Sequence, residues 1–139
     1  MLRLRSIFCI ALLSTIVASA QAFAANSLIC NFPSGMVHTF ENDVFQVEVA
    51  KTLSFEIGDI DLSGQKASLI ATEGKGNLKV VRAIGANHYL EVVAEGYLNV
   101  TTVYDEEAAD GSLPAVHSRH FGLLGTPVVS QYHGTCKVK

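Results

Sequence analysis

The sequence predicts an all-β protein, a small antiparallel β-barrel of about eight strands, and two observations lead to this prediction. Apolar and polar residues alternate in one segment after another, and these segments are rich in β-branched and aromatic residues. Turn signals separate the segments at intervals of roughly ten residues, a spacing typical of sandwiches and barrels. A barrel is favoured over an open sheet because closure removes strand edges.

The N-terminal residues are typical of an export signal. Two arginines precede an apolar run from residue 6 to residue 20, and small residues end that run. Cleavage after Ala20 or after Ala24 fits the small-x-small rule of signal peptidase. We therefore expect residues 1–24 to be a signal peptide and residues 25–139 to form a single β-barrel domain.

Export without a membrane anchor is the expected outcome for this chain. The apolar run is too short for a transmembrane helix. Cys9 follows Phe8 and Cys30 follows Ile29, so neither cysteine has the small preceding residue of a lipidation site. These features predict a periplasmic protein, and they leave its oligomeric state open.

The predicted strands follow one another along the mature chain. In the first alternating segment, Phe45, Val47 and Val49 share one face, whereas Gln46 and Glu48 share the other. Similar segments follow at 52–62, 67–72, 78–84, 88–94, 97–104 and 115–121. Turn signals lie at 62–65, 73–77 and 85–87, and a further tight turn is predicted at 33–35, ahead of the first long strand.

Two cysteines of the mature chain are expected to form a disulfide bond. Cys30 and Cys136 lie near the two ends of the domain, and two cysteines in an oxidising compartment most simply pair with each other. The loop-entropy model assigns roughly 4 to 5 kcal/mol to a loop of this length. A reactive thiol or a pair of metal ligands is the alternative interpretation.

The charge of the mature domain argues against a nucleic-acid partner. The full chain has 10 Lys and Arg against 13 Asp and Glu. Removal of Arg3 and Arg5 with the signal leaves 8 basic residues against the same 13 acidic ones, a net charge of −5. Nucleic-acid binding requires a basic patch, which an acidic domain does not favour. The excess of acidic residues favours a basic partner, or it serves solubility alone.

Histidines and carboxylates give no catalytic or metal-binding pattern. If 115–121 is a strand, His117 and Arg119 share one face and His120 lies on the other, which is poor geometry for a metal site. Hydrogen-bonded histidines beside Tyr132 and Arg119 are the simpler interpretation. The chain also lacks a G-x-S-x-G elbow. We therefore expect a non-enzymatic protein without metal or cofactor.

Partner binding is the remaining function class, and two regions are candidates. Ser34 and Gly35 would form a small-residue turn held close to Cys30, although such a turn can also simply join two strands. Tyr104 precedes the acidic loop 105–114, in which Asp105 is the first residue. A tyrosine at a strand end is either an interface residue or a cap of the barrel.

Motifs at both ends of the mature chain resemble those of a known family. The tail LPAVHSRHFGLLGTPVVSQYHGTC, with NVTTVYD before it and CNFPSG at the front, resembles small exported proteins of alphaproteobacteria. These are similar in size and role to the periplasmic and membrane-bound inhibitors of C-type lysozymes. The resemblance covers residues 30–136. The better-known inhibitors carry Ser-Gly-x-x-Tyr in mid-chain, whereas here Ser-Gly lies near the start and Met36, Val37 and His38 follow it.

This resemblance implies inhibition of a basic C-type lysozyme. Such inhibitors insert a Ser-Gly turn and a nearby tyrosine or basic side chain into the active-site cleft, and the matching residues here are Ser34, Gly35 and Tyr104, with Asp105 beside them. Hydroxyl groups can hydrogen-bond the two catalytic carboxyl groups of a glycosidase. The alternative is a small-ligand carrier or envelope-maintenance protein, because a barrel of about eight strands can hold one small ligand.

Overall fold

A computed structural model describes residues 26–93, 96–122 and 125–139, and these parts of the chain are almost entirely strand. The strands are β1 (Leu28–Glu41), β2 (Val44–Val49), β3 (Leu53–Asp61), β4 (Lys66–Ala71), β5 (Gly74–Ala83), β6 (Ala86–Val93), β7 (Tyr97–Tyr104), β8 (Leu113–Phe121) and β9 (Val128–Val138). No helix in these ranges is long and apolar enough to cross a bilayer. The predicted signal peptide lies outside the described residues.

Eight strands close into an antiparallel barrel, as the alternation predicted. The order is β1-β3-β4-β5-β6-β7-β8-β9, and β9 returns to pair with β1. Strand β2 is an additional strand that pairs with β1 alone, so it extends the sheet outside the closed ring. In the part of the chain that the structure describes, closure therefore leaves one strand edge, on β2, which the sequence argument did not anticipate.

Strand β1 is long because it has a different neighbour along each half of one side. Its first half, 28–32, pairs with β3, whereas its second half, 36–41, pairs with β2. Strand β9 pairs with both halves on the other side. The β1–β2 hairpin therefore projects at one end of the barrel, called here the hairpin end. The opposite end, near the two cysteines, is called the disulfide end.

The turn predicted at 33–35 is wrong, because these residues lie inside β1. Ser34 and Gly35 pair with His133 and Tyr132 of β9. The register shifts between Asn31 and Ser34, which marks a β-bulge. An extra residue at a bulge reverses the alternation, so Gly35 faces the interior after it. Proline at position 33 is tolerated there because a bulge interrupts the ladder of hydrogen bonds.

The predicted disulfide is present and joins the first and last strands of the barrel. Cys30 and Cys136 are direct partners in the β1–β9 register, and both are fully buried. The bridge spans 106 residues. Closure of the barrel is therefore both hydrogen-bonded and covalent at the disulfide end.

The apolar core fills the disulfide end and the middle of the barrel. Its largest fully buried side chains are Phe32, Ile57 and Val80, together with the disulfide. Among the described residues, the buried cluster is Leu28, Cys30, Phe32, Phe55, Ile57, Ala67, Leu78, Val80, Tyr89, Val103, Ala115, Tyr132 and Cys136. At the hairpin end the inward-facing positions are partly polar, and the interior there contains a cavity.

Candidate functional site

A cavity of about 470 Å³ lies inside the barrel towards the hairpin end. Strands β3, β4, β6, β7 and β8 and the two short connections next to them line it. The lining residues are Thr52, Leu53, Ser54, Phe55, Leu69, Ala71, Thr72, Glu73, Glu91, Asn99, His117 and Arg119. A cavity of this size falls in the range of small-molecule sites, roughly 300–1,000 Å³.

A row of three polar side chains crosses one wall of this cavity. Glu91 of β6 pairs with Asn99 of β7, and Asn99 pairs with Arg119 of β8. The neighbouring inward row contains the buried residues Thr101 and His117, and alternation along each strand places both rows on the inner face. The register of three strands therefore brings a carboxylate, an amide and a guanidinium together.

Arg119 is held by the imidazole of His117. The Nε of Arg119 donates a hydrogen bond to Nε2 of His117 at 3.1 Å. Because Nε2 accepts, a neutral His117 carries its proton on Nδ1, and this N–H donates to Oγ1 of Thr101 at 2.8 Å. The chain of two hydrogen bonds fixes the orientation of the guanidinium group.

His117 is uncharged because it is buried among aromatic rings. Its ring centroid lies 5.1 Å from that of Phe55, 5.7 Å from Phe32 and 5.9 Å from Tyr132. Burial, and to a smaller degree the positive charge of Arg119, lowers the pKa of His117 to about 4. Both ring nitrogens are already hydrogen-bonded, so His117 has no free lone pair with which to act as a general base.

Arg119 has no counter-ion in the described part of the chain. Its guanidinium carbon lies 5.7 Å from the centre of the Tyr132 ring, a cation–π contact. The four ion pairs among the described residues involve other side chains. Within those residues the hydrogen bond to His117 is the only one that the Arg119 side chain makes, so its two Nη nitrogens remain available to the cavity.

Glu91 places a negative charge on the same wall. Its Oε2 accepts a hydrogen bond from Nδ2 of Asn99 at 2.7 Å. The other carboxylate oxygen lies over Gly76, where an added Cβ would approach Oε1 to 2.5 Å. Strands β6 and β8 are separated by β7, so the backbones of Glu91 and Arg119 lie about 10 Å apart. The cavity thus presents a cation and an anion at separate positions.

The structure does not bring the predicted partner-binding residues together. Ser34 is exposed in the outer wall, whereas Gly35 is buried beneath the ring of Tyr132. Tyr104 ends β7 at the disulfide end and is 42 % exposed. Strands β8 and β9 lie between β7 and β1, so Ser34 and Tyr104 are separated by three strand spacings, about 14 Å along the wall.

The loop after Tyr104 is ordered by its own hydrogen bonds. Asp105 follows the strand and accepts a hydrogen bond from Nδ2 of Asn87 at 3.3 Å. Asp110 accepts from the backbone and hydroxyl of Ser112 and pairs with Lys137 at 2.9 Å. These contacts, the hydroxyl hydrogen bond first, hold the pKa of Asp110 well below its usual range.

Sequence reasoning found part of the cavity and missed the rest. The prediction that His117 and Arg119 share one face is confirmed, and His120 lies exposed on the other. The predicted hydrogen-bonded environment of His117 beside Arg119 and Tyr132 is also confirmed. Glu91 and Asn99 were missed. The one signal for them in the sequence is alternation, which places both residues on the inner face of their predicted strands.

Comparisons with known proteins add no assignment to this site. Neither the protein-family models, nor the curated proteins, nor the solved structures that were searched gave a match. Over residues 26–93, 96–122 and 125–139, no group of three or more His, Cys, Asp and Glu is placed to hold a metal ion. The function therefore has to be argued from the geometry of the site.

Proposed function

We propose that this protein is an exported carrier that binds a small organic acid in the mouth of its barrel. One observation carries the proposal. The guanidinium of Arg119 lines a cavity of about 470 Å³ and has no counter-ion among the described residues. Arg119 is half-buried, so its guanidinium keeps only part of its hydration inside the cavity. A ligand carboxylate would supply the missing charge.

The chemistry of arginine narrows the ligand to a planar anion. The two Nη nitrogens offer parallel N–H groups that match the two oxygens of a carboxylate. The hydrogen bond from Nε to His117 fixes the guanidinium before the ligand arrives. Less conformational entropy is therefore lost on binding than for a free arginine side chain.

Glu91 and Asn99 select the other part of the ligand. A carboxylate held by an amide favours an ammonium or hydroxyl group on the ligand, and it disfavours a second anionic group nearby. We infer that the ligand class is a small amino or hydroxy carboxylic acid. The proposal assigns no reaction, because the imidazole of His117 is already hydrogen-bonded at both nitrogens.

Arginine side-chain NMR tests this proposal directly. Arg119 and Arg82 are the only arginines after residue 24, so their two Nε–H signals can be assigned by substitution. We would titrate the labelled protein with glycine, glutamate, lactate and succinate. A saturable shift of the Arg119 signal, with Arg82 unmoved, is expected for at least one amino or hydroxy acid. Equal, non-saturating movement of both signals would contradict the proposal.

Inhibition of a C-type lysozyme is a second candidate, and one surface favours it. Tyr104 and the adjoining Asp105, Glu106 and Glu107 are all exposed at the disulfide end. Glu106 and Glu107 take part in none of the ion pairs found among the described residues. A basic enzyme would be attracted to this acidic surface. In this proposal Tyr104 and the loop make the first contact, and Ser34 lies at its far side.

A titration of lysozyme with the oxidised protein tests this candidate. Lysis of bacterial cell walls would be followed at increasing molar ratio. Loss of activity that saturates near a stoichiometric ratio is the expected result for an inhibitor. Full activity at a large excess would remove this candidate and leave the carrier proposal untouched, because the two surfaces lie at opposite ends of the barrel.

A further inference from the structure

We propose that two copies of this chain associate through strand β2, in an antiparallel arrangement with a two-fold axis at Val47. Strand β2 pairs with β1 only, so its other edge has no strand partner among the described residues. An open edge presents main-chain N–H and C=O groups that can pair with another strand. The occupant that fits this edge best is the same strand of a second copy.

The hairpin holds this edge in a fixed extended form. Strands β1 and β2 are joined by Asn42 and Asp43, whose φ angles of 51° and 62° fit a two-residue type I′ turn. The register between the two strands runs without a shift from Met36–Val49 to Glu41–Val44. β2 also contains no proline, lysine or bulge, and Glu48 is its one charged residue, so it has few of the features with which edge strands usually prevent pairing.

Main-chain alternation identifies which residues face the open edge. The N–H of Ala50 donates to the carbonyl of Gly35, so the pair 35–50 is a hydrogen-bonded pair. Such pairs alternate in an antiparallel ladder, which directs the main-chain groups of Val44, Gln46 and Glu48 towards β1. The N–H and C=O groups of Phe45, Val47 and Val49 therefore point outwards.

These outward groups are self-complementary about Val47. An axis at this residue pairs Val47 with its own copy and Phe45 with Val49 of the second copy. All three residues then form hydrogen-bonded pairs, giving about six main-chain hydrogen bonds. The same register places Gln46 opposite Glu48 of the second copy, so the two carboxylates avoid each other and the amide can donate to each of them.

The side chains on the outer face also favour association. Phe45, Val47 and Val49 are 50 %, 51 % and 81 % exposed. The β1–β2 register places Met36 and Phe40 on the same face, and the ring centroids of Phe40 and Phe45 lie 5.1 Å apart. Pairing two copies would join these faces into one apolar strip and remove part of it from water.

Sedimentation equilibrium of the protein produced from the full-length chain tests the association. The wild type is expected to show a reversible monomer–dimer equilibrium. Val47→Lys should weaken the dimer by about tenfold or more, because two lysines would face each other at the axis. Ile70→Lys is the matched control: Ile70 is also exposed, but β4 pairs at this position with both β3 and β5, so no change is expected.

A second substitution tests the register between the two copies of β2. It remains informative even if the Val47→Lys variant fails to fold. Gln46→Lys places a lysine opposite Glu48 of the second copy twice in each dimer. Opposite-charge pairs should then tighten the dimer roughly two- to thirtyfold at low salt. Weaker association of Gln46→Lys would overturn the axis at Val47. A wild type that sediments as a monomer up to its solubility limit would overturn the whole proposal.

Discussion

Arg119 donates a hydrogen bond from Nε to Nε2 of His117, and this contact links the apolar core to the polar cavity. His117 is buried among the core rings, whereas Arg119 lies on the cavity wall one inward position further along β8. The imidazole therefore anchors a charged group that has no counter-ion among the described residues. The carrier proposal depends on this arrangement.

Replacement of Arg119 should weaken binding of the organic acid without unfolding the barrel. Arg119→Lys keeps the charge but loses the bidentate geometry and the Nε contact, so binding should weaken by about tenfold or more. Arg119→Gln should bind more weakly still. Calorimetric titration with the tightest-binding acid measures both variants, and Arg82→Gln serves as the control. Unchanged affinity in Arg119→Gln would contradict the assignment.

Acid should destabilise the protein through His117. The pKa of this residue is lowered to about 4 in the fold, whereas an unfolded histidine has a pKa near its usual 6.5. The unfolded chain therefore binds more protons between these values, so the contribution to stability is complete above pH about 6.5 and is lost as the pH falls. We expect a loss on the order of 2 to 3 kcal/mol between pH 7 and pH 4 from this residue.

Urea unfolding at several pH values isolates this contribution. The wild type and His117→Gln would be compared, because carboxylates contribute to acid sensitivity in both proteins. The difference in unfolding free energy between pH 7 and pH 4 should be smaller in His117→Gln. Equal pH dependence in the two proteins would show that His117 is protonated without cost in the fold.

Two glycines should be intolerant of alanine for different reasons. At Gly134 an added Cβ would overlap the carbonyl of Asn31 and the backbone of Phe32, which cannot rotate away. At Gly35 it would meet Cδ1 of Tyr132 at 2.6 Å and the carbonyl of Gln131 at 2.8 Å. Gly35→Ala should cost about 1 to 3 kcal/mol through overpacking, and Gly134→Ala should cost more.

The control for these glycine variants is Gly122, where an added Cβ meets no described atom within 4 Å. Gly122→Ala should change stability by less than about 0.5 kcal/mol. Thermal unfolding of the three variants measures the order of their stabilities. A Gly134→Ala variant as stable as Gly122→Ala would contradict the close approach of β9 to the bulge in β1.

If the protein inhibits lysozyme, the exposed acidic surface should carry most of the effect. Tyr104→Ala should weaken inhibition without unfolding the domain, because Tyr104 is exposed at a strand end. Ser34→Ala should have a smaller effect, since β8 and β9 separate Ser34 from Tyr104. Inhibition assays with each variant and with the wild type decide this. Equal inhibition by all three proteins would exclude these residues as contacts.

The sequence predicted the barrel well because its evidence is local. Alternation along each segment places side chains on two faces, and glycine-rich turns separate the strands. The turn predicted at 33–35 failed because pairing of Ser34 and Gly35 with β9 outweighs the local turn preference of Pro-Ser-Gly. That pairing is a contact between the two ends of the chain, which no local pattern contains.

The candidate site was less predictable because it depends on the register between strands. Glu91, Asn99 and Arg119 come from three different strands and meet only in one alignment of β6, β7 and β8. A shift of one residue in either pairing would move a side chain to the outer face. The polar row is therefore a property of the assembled sheet.

Native mass spectrometry of the protein purified, without refolding, from the organism that makes it is the most direct test of the carrier proposal. The account predicts a complex whose excess mass matches a small amino or hydroxy carboxylic acid and is released on denaturation. It further predicts that Arg119→Gln, purified in the same way, carries no such mass while Arg82→Gln does. A wild type with only its own mass, or an equally loaded Arg119→Gln variant, would contradict the account.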